Sequence, residues 1–285
     1  MAEQSPRRGA VVITGASTGI GRACALDLDG RGFRVFAGVR KDADAERLRS
    51  ERPSIEPLRI DVTDAGEIAS ARDRVSEEVG AAGLAGLVNN AGIAVPGPLE
   101  HLPIDEFRRQ MEVNLVGQVA VTQAFLPLLR TARGRVVNIG SIGGRVALPM
   151  LGPYAASKHA MEGISDSLRR ELRPWGMQVS IVRPGPIATD IWESGNATAD
   201  ELLARMPDAE KDYGEAIAGA REWAAKRASE GIPPSEVAEV VAHALTADKP
   251  RTRYLVGPRV RLLATLRTVL PDRWFDAMLA RAARR

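Results

Sequence analysis

The amino-acid sequence predicts an α/β fold in which a seven-stranded parallel sheet is doubly wound, with helices on both faces. Short apolar segments of strand length alternate with longer segments of helical periodicity from Ala10 to Val256. Small, polar or charged residues follow the ends of the apolar segments, where ligands bind in parallel sheets. With 285 residues, 45% of them hydrophobic, the chain is expected to form a single domain over residues 1–285.

The predicted strands and helices follow each other at short intervals. The strands cover residues 10–14, 34–39, 55–60, 85–88, 135–139, 177–182 and 253–256. The helices cover residues 19–30, 44–50, 65–79, 103–129, 154–173 and 234–245. The helix over 103–129 is predicted to be continuous, because Phe107, Met111 and Leu115 recur with helical spacing.

Composition and charge argue against several classes of protein. The formal net charge is only +3 and no basic stripe is interleaved with aromatic residues, so nucleic-acid binding is not expected. One cysteine, Cys24, excludes an internal disulfide and suits a reducing compartment, and three scattered histidines give no metal-ligand cluster. The polar start lacks the apolar run of a signal peptide, and no stretch approaches about 20 uninterrupted apolar residues. We therefore expect a cytoplasmic protein without a metal site.

A glycine-rich turn connects the first strand to the first helix. Its glycines let the backbone approach a pyrophosphate closely, and the helix N-terminus offers unpaired N–H groups and the positive end of the helix dipole. The spacing is Gly-x-x-x-Gly-x-Gly, and such a turn taken alone is equally consistent with a plain strand-to-helix connection. The candidate cofactor ligands in this turn are Gly15, Ser17, Thr18, Gly19 and Ile20.

Arg40 follows the second strand, at the position that faces the adenosine ribose in dinucleotide-binding folds. An acidic residue there binds the ribose 2′-OH and repels a 2′-phosphate, whereas a guanidinium can pair with the phosphate. Because no carboxylate occurs before Asp42, the sequence favours NADP(H), with NAD(H) as the alternative. Ser17 and Thr18 could add hydroxyl contacts, but neither is basic, so Arg40 is the one cation that the sequence offers at the predicted phosphate site. Arg40 could also be a solvated loop residue.

The ends of three further strands carry candidate cofactor ligands. Asp61 and Val62 end the third strand, where the carboxylate could bind the adenine amino group; Asp61 or Thr63 could instead cap the next helix. The segment Asn89-Asn-Ala-Gly92 follows the fourth strand, and its small residues suit close approach of a cofactor or a simple turn. The remaining candidates in these segments and after the sixth strand are Asn90, Ala91, Gly92, Pro184, Gly185, Ile187 and Thr189.

Tyr154 and Lys158 are four residues apart and lie on one face if the segment is helical. An ammonium beside a phenol favours the phenolate and would lower the pKa of the tyrosine from its usual value of about 10. Ser141 follows the fifth strand, thirteen residues before Tyr154. Asn114 lies in the middle of a predicted helix, where asparagine is mildly unfavourable, and taken alone it is more typical of a polar core residue.

Together these motifs resemble the short-chain dehydrogenase/reductase family, whose members have a Rossmann-like fold. The resemblance spans about residues 10–190 and rests on Thr14-Gly-Ala-Ser-Thr-Gly-Ile-Gly21, Asn89-Asn-Ala-Gly92, Asn114, Ser141, Tyr154-x-x-x-Lys158 and Pro184-Gly185 with Thr189. It implies hydride transfer between NAD(P) and a carbonyl or secondary alcohol. Another family chemistry, such as dehydration or epimerisation, and a catalytically silent nucleotide-binding sensor are the alternatives. Similar proteins also imply a homodimer or homotetramer.

The resemblance assigns a role to each of four residues. Tyr154 would be the general acid/base, and Lys158 would lower its pKa and hold the nicotinamide ribose. Ser141 would hydrogen-bond the substrate oxygen and stabilise charge that develops there. Asn114 would anchor a water that links Lys158 to solvent.

The chain beyond the shared core is less regular. Residues 191–233, which we call the lid segment, are polar and alanine-rich and are predicted to cover the substrate; a decorated surface loop is the alternative. Residues 234–257 hold the last helix and strand. Residues 258–285, which we call the tail, form a basic amphipathic pattern interrupted at Pro271. The tail could pack on the lid segment or on a second subunit, contact a membrane weakly and peripherally, or remain loose.

The last strand and the tail together also carry a resemblance. The segment Arg253-Tyr-Leu-Val-Gly257 followed by such a tail is similar to the branch of the family that includes retinol and 17β-hydroxysteroid dehydrogenases. This implies a hydrophobic small-molecule substrate, such as a steroid-, retinoid- or lipid-like alcohol or ketone.

Overall fold

Seven strands form one sheet in the computed structural model, which describes residues 8–189 and 199–283. The strands are β1 (Ala10–Ile13), β2 (Arg34–Val39), β3 (Glu56–Arg59), β4 (Gly86–Asn89), β5 (Arg135–Ile139), β6 (Gln178–Pro184) and β7 (Arg253–Val256). Each neighbouring pair is parallel, and the spatial order is β3-β2-β1-β4-β5-β6-β7. The predicted doubly wound parallel sheet is therefore confirmed.

Helices connect the strands and cover both faces of the sheet. They are α1 (Gly19–Gly30), α2 (Asp42–Glu51), α3 (Ala65–Val79), α4 (Ile104–Met111), α5 (Gly117–Ala132), α6 (Gly152–Glu171), α7 (199–204), α8 (Ala209–Glu230), α9 (Pro234–Thr246), α10 (Val260–Val269) and α11 (Asp272–Ala283). Short 3₁₀ turns lie at Gly80–Ala82, Ile142–Gly144 and Arg173–Trp175. In the parts that the sequence analysis assigned to strands and helices, most boundaries agree with the prediction within two residues.

The exception is the long helix predicted over 103–129. It is divided into α4 and α5 by a π-helical segment, Glu112–Val116, that contains Asn114. Helical periodicity could not reveal this segment, because one wide turn leaves the surrounding apolar spacing nearly unchanged. Such π-helical turns occur frequently at functional sites.

Side chains of β1 alternate between two apolar cores, one on each face of the sheet. Val11 and Ile13 pack with α1 and α9, whereas Val12 packs with Phe125 of α5 and with α3. All four side chains are fully buried. The central strands are therefore covered on both faces, which fixes the positions of their carboxyl ends.

The strand order changes direction between β1 and β4. Connections from β1 run towards β2 and β3, and those from β4 run towards β5, β6 and β7. The turns that leave these two strands, at Gly15 and Asn90, border the crevice where ligands bind in doubly wound sheets. The topology thus brings two separately predicted motifs together.

One helical stretch within the described residues, Ile104–Ala132, is long and apolar enough to cross a membrane by length and composition, with a mean hydropathy of 1.2. Its side chains Val121, Phe125 and Leu129 are fully buried against the sheet. A buried core helix can satisfy the same criteria, and the contacts of this stretch are those of a core helix.

Candidate functional site

Two glycines of the motif that follows β1 have no room for a side chain. Gly15 has a φ of +62°, and a Cβ atom there would lie 2.7 Å from the Cα atom of Ala91. A Cβ atom on Gly21 would overlap the carbonyl oxygen of Gly15. Both positions therefore require glycine because of close backbone packing.

Hydrogen bonds from the segment after β4 hold this turn in place. The Asn90 side chain donates hydrogen bonds to the carbonyl oxygens of Thr14 (3.0 Å) and Gly15 (2.9 Å). The Thr14 hydroxyl oxygen accepts hydrogen bonds from the backbone N–H groups of Asn90 (2.9 Å) and Ala91 (3.0 Å). Gln118 also donates a hydrogen bond to the Ala91 carbonyl. Thr14 and Gln118 were not among the predicted site residues, although Gln118 follows Asn114 by four residues.

The first turn of α1 can receive an anion. Thr18 is the N-cap residue and makes no side-chain capping hydrogen bond, so the first N–H groups of the helix lack that partner. Gly19 has a φ of +54°, and a Cβ atom there would lie 3.1 Å from the Thr189 methyl group. Gly19 and Thr189 thus border the same groove, and the helix N-terminus there fits the pyrophosphate of a dinucleotide, whereas Ile20 packs against the apolar core.

Arg40 and Asp61 lie together at the neighbouring strand ends. The Arg40 Nη1 atom is 3.9 Å from Asp61 Oδ2, and 66% of the arginine side chain is exposed. Asp61 Oδ1 accepts hydrogen bonds from the N–H and the hydroxyl of Thr63. Burial alone would raise the pKa of Asp61, but the bonds from Thr63 and the nearby arginine charges lower it. The cap of α3 is Asp64 rather than Asp61 or Thr63.

The turn after β6 carries the remaining candidate cofactor ligands. Pro184 ends the strand, and a Cβ atom on Gly185 would lie 2.6 Å from Val260 of the tail. Ile187 forms a parallel bridge with Ile232, which ties this turn to the end of the lid segment. At the opposite side of the crevice Val62 is buried, and its carbonyl oxygen lies 2.5 Å from the position of a Cβ atom on Gly117.

Tyr154 and Ser141 meet at the end of β5. The Ser141 hydroxyl accepts a hydrogen bond from the Gly143 N–H at 2.9 Å, and a Cβ atom on Gly143 would lie 3.2 Å from both Ser141 Oγ and Tyr154 Cε1. Burial raises the pKa of Tyr154, and the nearby Ser141 hydroxyl only partly opposes this effect. The expected lowering of the tyrosine pKa by Lys158 is therefore wrong for this arrangement, because burial penalises the phenolate more strongly. Tyr154 is held in its protonated form at neutral pH.

Lys158 lies one helical turn beyond Tyr154 and is buried. Its Nζ atom donates a hydrogen bond to the Ile139 carbonyl at 2.8 Å and is 5.8 Å from the centroid of the Tyr154 ring. Burial penalises the ammonium and lowers the pKa of Lys158 from 10.5 to about 8. The lysine is thus close to its titration point near physiological pH.

Asn114 is connected to the same helix through Ser157. Its amide exchanges hydrogen bonds with the backbone of Ile93 (2.8 and 3.0 Å) and donates one to the Ser157 hydroxyl at 3.2 Å. The Ser157 hydroxyl in turn donates to the Tyr154 carbonyl at 2.7 Å. Gly92 packs beside this link, because a Cβ atom there would lie 3.3 Å from Asn114 Oδ1. The sequence analysis did not identify Ser157, although it stands three residues after Tyr154.

A buried ion pair ties α6 to β6. Arg183 binds Glu162 with two hydrogen bonds, at 2.5 and 2.6 Å, and both side chains are nearly buried. Glu162 follows Lys158 by one helical turn. The pair therefore fixes the helix that carries Tyr154 and Lys158 relative to the sheet.

Substitution of Lys158 by methionine is expected to stabilise the fold at pH 7 by roughly 1–3 kcal/mol, because it removes the cost of burying an ammonium. Because burial lowers the pKa of Lys158 from 10.5 to about 8, the unfolded chain binds more protons than the folded chain between these two pH values. The wild-type protein therefore becomes more stable as the pH rises from 8 to 10.5. The gain of Lys158→Met is therefore full below pH 8 and shrinks towards pH 10.5. Urea denaturation at several pH values measures it.

The exposed Lys249 provides a matched control for this measurement. Lys249→Met is expected to leave stability nearly unchanged at each pH. A difference between wild type and Lys158→Met that does not vary between pH 8 and 10.5 would contradict the assignment of a buried, titrating lysine.

Comparisons with known proteins identify the family of the chain. The family model described as short chain dehydrogenase matches residues 9–200. The NADPH-dependent 3-dehydrocapnine reductase of Ornithobacterium rhinotracheale is 38% identical over 271 residues, covering 93% of this chain and 94% of that protein. Retinol dehydrogenase 5 of Mus musculus is 43% identical over 277 residues, covering 94% and 87%.

Among solved structures, a short chain dehydrogenase from Burkholderia cenocepacia in complex with NADP matches with a TM-score of 0.72 and 29% identity. The match covers 96% of this chain and 97% of that chain. The predicted family, and within it the likeness to retinol dehydrogenases, are confirmed by these relatives. The chain belongs to the short-chain dehydrogenase/reductase family and is an NAD(P)-dependent oxidoreductase.

Proposed function

We propose that this oxidoreductase interconverts a hydrophobic ketone and secondary alcohol, with Tyr154 as the proton-transfer residue. The observation that carries this proposal is that Tyr154 and Ser141 both lie against Gly143 at the end of β5, with Lys158 one turn away. A protonated phenol beside a hydroxyl can bind one carbonyl oxygen from two directions. This geometry suits carbonyl reduction and, in reverse, alcohol oxidation.

Each side chain has a distinct part in the proposed reaction. When bound, the nicotinamide supplies or accepts the hydride. Tyr154 donates its phenolic proton to the substrate oxygen during reduction and takes it back during oxidation. Ser141 donates a hydrogen bond to that oxygen and stabilises the charge that develops on it. Lys158 holds the nicotinamide ribose and replaces the proton on Tyr154, and Asn114 anchors the water that connects Lys158 to solvent.

Two observations support NADP(H) as the preferred cofactor, with NAD(H) as the alternative. The exposed guanidinium of Arg40 follows β2, and the sequence places no carboxylate at that point. The 3-dehydrocapnine reductase to which the chain is similar is named as NADPH-dependent. A cationic residue at this strand end favours a cofactor with a 2′-phosphate.

An apolar cluster beside the site supports a hydrophobic substrate. Leu202, Met206 and Ala209 of the lid segment are buried against Val95, which follows β4. The chain is also similar to retinol dehydrogenase 5, whose name indicates an apolar alcohol. A substrate that reaches Tyr154 beneath the lid segment would pass this cluster.

The direct test is an assay with NADPH or NADH and a panel of hydrophobic ketones, in which absorbance of the reduced nicotinamide is followed. We expect turnover that is faster with NADPH and rises with substrate hydrophobicity. Cofactor binding without turnover on a broad panel would overturn the proposed activity. Turnover only of small polar carbonyl compounds would overturn the proposed substrate class.

We further propose that residues 191–233 act as a lid. The portion up to residue 198 lies outside the described residues. Beyond it, Arg205 forms ion pairs with Glu106 (2.6 Å) and Asp105 (2.8 Å) of α4. These contacts tie the segment to α4, and Leu202 and Met206 of the same segment are buried against Val95.

Replacement of Arg205 by glutamine is expected to raise the KM for a hydrophobic ketone several-fold and to change kcat less, because the lid segment would close less tightly. Steady-state kinetics measure both constants. Arg221→Gln is the matched control, since Arg221 pairs with Asp200 within the segment itself. Equal KM values for wild type and Arg205→Gln would argue against closure through this contact.

The tail has an apolar face that its own chain covers only in part. Val260 and Phe275 are buried, whereas Leu262 and Trp274 are 59% and 70% exposed. Residues 258–285 carry seven arginines and two aspartates, so they hold more than the whole net charge of +3. We propose weak peripheral binding of this face to anionic lipid. Co-sedimentation with phosphatidylserine vesicles but not with phosphatidylcholine vesicles is expected, with a clear decrease in Trp274→Ala.

We also propose that α5 and α6 pair with a second copy of the chain, giving a homodimer or homotetramer. Val116, which directly precedes α5, is 48% exposed, and Ile164 of α6 is 38% exposed. A cavity of about 220 Å³ between them is lined in part by Gln123 and Leu126. Sedimentation velocity is expected to show an oligomer that Ile164→Arg weakens; a wild-type monomer at micromolar concentration would refute this pairing.

A further inference from the structure

The sequence offers one cation, Arg40, for a 2′-phosphate, and the structure brings a second arginine to the glycine-rich turn. Arg47 lies on α2, seven residues beyond Arg40. Its Nη2 atom donates a hydrogen bond to the carbonyl oxygen of Ser17 at 2.8 Å. The guanidinium of Arg47 therefore reaches the glycine-rich turn that sequence analysis assigned to cofactor binding.

Arg47 faces open space at this turn. A groove of about 780 Å³ is lined by Ser17, Thr18, Thr189 and Arg47, among other residues. The Arg47 side chain is 51% exposed and also pairs with Asp44 at 2.9 Å. Such exposed pairs are weak, so the guanidinium can turn from Asp44 towards a stronger anion at low cost.

Arg22, the other arginine that lines the groove, is already paired with a carboxylate. Arg22 of α1 forms a two-pronged ion pair with Glu51 of α2, with one hydrogen bond of 3.0 Å. Within the described part of the chain, by contrast, Arg40 has one ion-pair partner, Asp61 at 3.9 Å. Arg47 thus reaches the glycine-rich turn at Ser17, and Arg40 directly follows the end of β2. In dinucleotide-binding folds both places lie beside the adenosine ribose.

A phosphate monoester carries close to two negative charges at neutral pH. One guanidinium can bind it through two parallel hydrogen bonds, and a second compensates the remaining charge. We propose that Arg47 joins Arg40 in binding the 2′-phosphate of NADP(H) and determines the preference over NAD(H). This inference rests on the cofactor preference proposed above and names a residue that acts in it.

The test is titration calorimetry with two nucleotides that differ in the 2′-phosphate, adenosine 2′,5′-bisphosphate and adenosine 5′-monophosphate. Arg47→Gln is expected to lower the affinity for the bisphosphate by about tenfold, as for the loss of one charge-assisted hydrogen bond. The affinity for the monophosphate is expected to fall by less than about twofold. Arg47→Lys, which retains the charge, is expected to lose less affinity for the bisphosphate than Arg47→Gln.

Arg49 is exposed on the same helix, so Arg49→Gln is a matched control that removes one positive charge nearby. It is expected to change both affinities by less than about twofold. If Arg47→Gln weakened both nucleotides equally, Arg47 would only shape the Ser17 turn, and the proposal would be wrong. Unchanged affinities in Arg47→Gln would also overturn it.

The wild-type protein separates this proposal from the one on which it rests. If the wild-type chain binds the two nucleotides equally, the NADP(H) preference itself fails, and Arg47 fails with it. If the wild type prefers the bisphosphate and Arg47→Gln retains that preference, only the role of Arg47 fails. These titrations contain no substrate, so they do not depend on the identity of the ketone.

Discussion

Tyr154→Phe is expected to lower kcat/KM for ketone reduction by about 10²–10⁴-fold, because phenylalanine has no proton to donate to the substrate oxygen. The fold should persist, since the phenylalanine ring fills the same half-buried space beside Gly143. NADPH affinity should change little, because the candidate pyrophosphate contacts lie on α1. Steady-state assays and calorimetric titration with NADPH measure these quantities.

Tyr254 provides the control for the loss of a buried phenol. Its hydroxyl lies 2.9 Å from His243 Nδ1 and accepts a hydrogen bond from the Arg251 N–H at 3.0 Å, at the far edge of the sheet. Tyr254→Phe is expected to reduce stability by about 1 kcal/mol and to leave kcat nearly unchanged. Full activity of Tyr154→Phe would show that another group transfers the proton.

Gly21→Ala is expected to abolish measurable NADPH binding and to lower the free energy of unfolding by about 1–3 kcal/mol. The added methyl group would overlap the Gly15 carbonyl and lie 2.5 Å from the Asn90 amide nitrogen. The backbone of the turn would have to move, and the Asn90 hydrogen bonds that hold it would be lost. Urea denaturation and calorimetric titration measure the two effects.

Gly30→Ala tests whether the effect is specific to the turn. Gly30 lies at the other end of α1, and a Cβ atom there would meet nothing within 4 Å. This variant is expected to bind NADPH like wild type, with stability equal or greater by up to about 1 kcal/mol. If both variants bound NADPH normally, the close packing of the turn would not matter for the cofactor.

The fold and the main chemistry were predictable because they depend on local patterns. Each strand is a short apolar segment, and parallel strands bring their carboxyl ends to one edge whatever their order. Gly15, Asn90 and Ser141 could therefore be assigned to one crevice before their distances were known. The family motifs added the pairing of Tyr154 with Lys158.

The parts that could not be predicted depend on tertiary contacts. The π-helical segment around Asn114 allows its amide to bind the backbone of Ile93, which is distant in sequence. The pKa of Tyr154 depends on how deeply α6 is buried, and spacing to Lys158 does not report burial. Arg47 has an ordinary surface-helix pattern, and only the folded chain places it against Ser17.

In the proposed reaction, a protonated Tyr154 beside Ser141 completes hydride transfer by protonating the substrate oxygen. A single-turnover experiment tests this step: the preformed NADPH complex is mixed with a hydrophobic ketone, and nicotinamide absorbance is followed through the first turnover. This isolates chemistry from product release. The wild type is expected to oxidise one NADPH per chain in a fast phase, and Tyr154→Phe to do so at least about 100-fold more slowly. Equal first-turnover rates in the two proteins would contradict proton donation by Tyr154.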